Sequence, residues 1–193
     1  LTPPKRIRVV VVGEPSACFR LCVSFIEGRV VSSEDNLRED TMSGLPRDEW
    51  ATKLAVRIVS KTVPVELIVE IHGPWVWDLY RVISPREYFR RFAGIVMVAD
   101  LSRDDSVRDL IRFVQSFDSY TAGRAPAVLL YDQSCLYGKH DLQLATQAFW
   151  PRSIGILSAD FKTGEGAAKP FHWIAANVVG QNPTANRRLE NAP

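Results

Sequence analysis

Apolar residues in this chain come in short β-branched runs separated by segments of helical period. Val9-Val10-Val11-Val12 is an unbroken run closed by Gly13, the pattern of a strand covered on both faces. Residues 16–27 then carry Leu21, Phe25 and Ile26 at helical spacing and stop at Gly28. The polar stretch 32–49 has no period and predicts a loop. Residues 51–60 and 63–71 flank Lys61-Thr62 as an antiparallel pair, with Pro64 near the start of the second strand, where a missing N–H is tolerated.

The second half alternates in the same way. A helix through Tyr88 to Phe92 takes Pro85 in its first turn, and 94–100 is a buried strand. Residues 106–117 form an amphipathic helix with Val107, Leu110, Ile111 and Val114 on one face and Arg108, Asp109, Arg112 and Gln115 off it. Strands at 127–130 and 153–157 alternate with helices at 141–149 and 165–179, the last with Pro170 in its first turn or at a kink. From Gly180 the chain is polar, with Asn and Pro, and predicts disorder. The order implies an α/β fold: a doubly wound, mostly parallel six-stranded sheet with one antiparallel edge strand and helices on both faces. One domain spans 6–180, with a disordered tail at 181–193. Ligands of such sheets bind at the carboxyl ends of the strands, here the loops after Val12, Ile71, Asp100, Leu130 and Leu157.

Composition narrows the function classes. At 193 residues and 46% hydrophobic the chain can bury a full core. A net charge of +2, without a basic tract or stripe, carries no nucleic-acid or membrane-surface signature. Cys18, Cys22 and Cys135 are odd in number and unclustered, which points to a reducing, cytoplasmic setting. Cys18 and Cys22 read as small helix-packing side chains; His72, His140 and His172 are scattered and read as solvated or singly hydrogen-bonded, so no metal site is expected. No apolar run approaches the ~18 residues of a membrane span. The opening Leu1-Thr2-Pro3-Pro4 leaves an upstream segment open.

One long match carries a family resemblance. Tyr88-Phe-Arg-Arg-Phe-Ala-Gly-Ile-Val-Met-Val-Ala-Asp100-Leu-Ser102-Arg-Asp-Asp-Ser106-Val is similar to the Y-Y-R-x-A-x-G-x-x-x-V-Y-D-x-(S/T)-x-x-x-S-(F/V) pattern of the Ras superfamily, nearest its Rab-like branch. Phe25-Ile-Glu-Gly-Arg29 resembles the end of that family's first helix, and the resemblance covers residues 6–179. It implies a Ras-like fold whose nucleotide motifs have degenerated.

In the phosphate loop, G-x-x-x-x-G-K-(S/T), only Gly13 matches; Cys18, Phe19 and Arg20 replace the Gly, Lys and hydroxyl that close on phosphate, neutralise it and hold Mg²⁺. Thr41 and Thr52 are both candidates for the switch I threonine. The D-x-x-G motif becomes Glu70-Ile71-His72-Gly73, with Pro74 at the place of the water-positioning Gln. N-K-x-D becomes Asp132-Gln133-Ser134-Cys135, without the carboxylate that reads guanine. Ser158 and Ala159 keep two residues of S-A-K, and Asp160 replaces its Lys. Each hydrogen bond to a charged group is worth about 1.5–3 kcal/mol, so losing the phosphate Lys and guanine Asp together weakens binding by ~10²–10⁴. Glu70 and Asp132 are most simply solvated acids at strand ends; Arg20 reads as a solvated or surface-paired helix residue, the alternative being a cation that pairs with phosphate.

The resemblance therefore implies a pseudo-GTPase without GTP hydrolysis or cofactor, acting as an adaptor or structural subunit of a trafficking or ciliary type of assembly. The alternative is an atypical small GTPase that binds GTP or GDP weakly, without the usual Mg²⁺ ligand. Trp75, Trp77 and Tyr80, after the D-x-x-G position, are the expected protein-partner surface; the competing reading packs them beneath their own helix or over the nucleotide pocket. Trp50, Trp150 and Trp173 read as packing. Leu189-Glu-Asn-Ala-Pro193 offers no prenylatable Cys, so no membrane anchor is expected in this chain.

Overall fold

The computed structural model describes residues 5–13, 17, 18, 21, 25, 51–60 (backbone), 63–72, 85–99, 106–121, 125–133, 147, 154–161 and 163–180. Six strands form one sheet: β1 (Lys5–Gly13), β2 (Ala51–Ser60), β3 (Val63–His72), β4 (Gly94–Ala99), β5 (Ala127–Asp132) and β6 (Gly155–Ala159), in the order β2-β3-β1-β4-β5-β6. From β3 to β6 all neighbours are parallel. At the outer edge β2 pairs antiparallel with β3, from Ser60 opposite Val63 to Ala51 opposite His72. That register leaves two residues, Lys61 and Thr62, to connect the strands.

The β-branched run of β1 sits at the centre because both its faces are covered. Val9 and Val11 point into one core layer with Leu67, Val69, Val96, Val98 and Leu130. Val10 and Val12 point into the other, with Ile95, Met97 and Leu129. Among the described elements, helices α1 (Pro85–Arg90), α2 (Ser106–Thr121) and α3 (Lys169–Gly180) cover the sheet. Tyr88 and Phe89 of α1 and Val107, Leu110, Phe113, Val114 and Phe117 of α2 fill the Val10 layer. Phe171, Ile174 and Ala175 of α3 fill the Val9 layer, joined by the helical residues Ala17, Cys18 and Leu21. Phe25, half-buried one turn further on, stacks on Phe171 at 4.2 Å between ring centroids. The two-period alternation of the strands thus feeds two separate helical layers.

Several element boundaries differ from the sequence reading, and three of the differences have a clear local reason. α3 begins at Lys169 rather than at 165, because Gly164 and Gly166 hold positive φ (74° and 83°) and put residues 165–168 in turns. Pro170 then falls in the first turn, where its missing N–H is harmless. α2 continues four residues past Phe117, because Tyr120 stacks on Phe89 at 5.5 Å and Thr121 Oγ1 donates back to the Phe117 carbonyl. β6 starts at Gly155, two residues later than predicted; a Cβ there would lie 3.0 Å from the Trp173 ring, so the strand and α3 approach through the glycine. Of the expected helix at 141–149 the described residues include Gln147, which is helical. The expected tail at 181–193 lies outside them.

Candidate functional site

β3 reads Val63-Pro64-Val65-Glu66-Leu67-Ile68-Val69-Glu70-Ile71-His72, so its even-numbered positions form the polar face. At the start of the strand that face is near solvent, where Glu66 accepts from Arg6 Nε at 2.6 Å. At the far end it is covered. Glu70 is fully buried and His72 almost so, because α1 lays Tyr88 and the Arg91 that follows it over them. The expectation of a solvated Glu70 and of a solvated or singly bonded His72 is corrected here. A non-local helix covers the polar face and supplies its partners.

The partners form a chain. His72 Nε2 lies 3.2 Å from Glu70 Oε2, and His72 Nδ1 lies 2.8 Å from the Tyr88 hydroxyl. An ionised carboxylate only accepts, so Nε2 donates to Glu70; in the neutral imidazole Nδ1 then accepts from the Tyr88 O–H. Arg91 Nη2 stands 3.1 Å from the same Glu70 oxygen, and Arg8 Nη1 stands 3.9 Å from Oε1. The Arg91 guanidinium lies 5.2 Å from the centre of the Tyr88 ring and 4.7 Å from that of Phe92, which holds it against aromatic faces. An ionised acid, an imidazole and a phenol in series could relay a proton in an open cleft. Here all three are buried to within a few per cent, which fits an internal brace.

Gly13 ends β1 at φ 142°, and a Cβ there would collide with the Val98 carbonyl oxygen, so the glycine is required by the β1–β4 approach itself. Cys18 is fully buried in the Val9 layer, in keeping with a packing role. Asp132 ends β5 half-buried rather than freely solvated. Next to it in register is Ala159, whose carbonyl accepts from Gln133 N–H at 3.0 Å; Ser158, half-buried, faces Tyr131 in the same pairing. Asp160 closes the following turn, its carboxylate accepting from Thr163 N–H at 3.0 Å. Thr52 lies in β2 opposite Ile71. Phe19, Arg20, Thr41, Gly73, Pro74, Trp75, Trp77, Tyr80 and Cys135 lie outside the described residues.

The structure therefore brings Glu70 and His72 together with Tyr88, Arg91 and Arg8, none of which the motif comparison assigned to the site. Glu70 and His72, two apart on one strand face, were a signal that something polar had to cover them. Among the described residues no group of three or more His, Cys, Asp or Glu side chains could hold a metal ion. None of the described helices is long and apolar enough to cross a membrane. No family model matches the chain, and no curated protein matches it.

Proposed function

We propose that this chain is a Ras-like, Rab-type pseudo-GTPase: a cytoplasmic, nucleotide-independent adaptor or structural subunit of a protein assembly. The observation that carries the reading is Glu70. In the D-x-x-G resemblance this carboxylate belongs at a Mg²⁺–phosphate site; here it is fully buried and engaged by Arg91 and His72 under α1. A carboxylate already committed to a guanidinium and an imidazole is a poor partner for a hydrated metal. Cys18, at the loop's glycine position, belongs to the core, which also fits a loop not shaped around phosphate. The strand order, with β2 antiparallel at the edge, is compatible with the fold that the resemblance implies. The trafficking or ciliary setting rests on family analogy alone.

Residues 73–84, which include Trp75, Trp77 and Tyr80, are the proposed partner surface. His72 precedes this segment, Tyr88 comes four residues after it, and the two are hydrogen-bonded. Truncating a central interface aromatic costs ~2 kcal/mol or more, some thirtyfold in affinity. Trp75→Ala combined with Trp77→Ala is expected to abolish co-purification with the partner and leave the thermal melt nearly unchanged. Unfolding of the double variant would assign the rings to the core, and normal partner binding by a folded variant would place the interface elsewhere.

A further inference from the structure

We draw no further inference here: the strongest candidate, the outer edge of β2 (Ala51–Ser60), a strand that pairs only with β3 among the described strands, carries none because nothing in the structure shows what covers it.

Discussion

Glu70 and His72 show how two polar residues in a strand can become the most enclosed groups of a fold. Their alternation with Val65, Leu67, Val69 and Ile71 places them on the polar face, and Glu66 on that face behaves as expected. What the pattern does not contain is the cover. Tyr88 and Arg91 come from an element sixteen or more residues away, so the burial of Glu70 is a tertiary fact. Removing one partner of such a group leaves the others desolvated and unmatched. Glu70→Ala is expected to destabilise the protein by ~2–3 kcal/mol in denaturant unfolding, the partial exposure of Arg91 holding the value below that of a wholly buried pair. Tyr88→Phe, which deletes only the hydroxyl that His72 Nδ1 accepts from, should cost about 1 kcal/mol. A solvated Glu70 would instead make its substitution nearly neutral. Gly13 carries a second residue-level expectation: Gly13→Ala should destabilise the ligand-free protein by more than ~2 kcal/mol, because the Val98 carbonyl occupies the Cβ position. A glycine kept only for phosphate would cost nothing without phosphate.

At the scale of elements the sequence is legible wherever apolar period decides and illegible where a glycine or a remote ring decides. The strands β1, β3, β4 and β5 follow their apolar runs, and α2 buries Val107, Leu110 and Val114 as its spacing requires. Its extension to Thr121 depends on Phe89 offering Tyr120 a ring to stack on. The late start of α3 depends on two positive-φ glycines whose conformation the sequence alone does not reveal. The seating of α3 on the sheet has a similar origin. A Cβ on Gly94 would lie 2.5 Å from Ile174 Cγ2, so helix and strand approach through the missing side chain. Gly94→Ala should be strongly destabilising, and Ile174→Ala should cost ~2–5 kcal/mol by leaving a cavity. The two together should cost less than their sum by ~1 kcal/mol or more, because the second truncation makes room for the first methyl. Strict additivity in denaturant melts would mean that α3 is not seated by this contact.

For the whole molecule, the central sheet is sealed on both faces by side chains of the chain itself, with Cys18, Leu21 and Phe171 on one side and Phe89, Phe113 and Phe117 on the other. On the pseudo-GTPase proposal, nucleotide adds nothing to this core. Thermal melts with and without millimolar GTP and Mg²⁺ should then coincide, since a ligand bound only by the native state raises the midpoint by mass action. The partner side of the site was less legible than the scaffold, because motif comparison reports which residues are missing from a ligand site and says nothing of the contacts that replaced them. On the pseudo-GTPase proposal, the brace of Glu70, His72, Tyr88 and Arg91 is such a replacement.

The central claim is that this fold stands without guanine nucleotide, and the most direct measurement is of what the protein carries. Protein purified under native conditions with Mg²⁺ present is denatured, and the supernatant is separated by ion-exchange chromatography against GDP and GTP standards. The account predicts no guanine nucleotide above background. Near-stoichiometric GDP or GTP would contradict it.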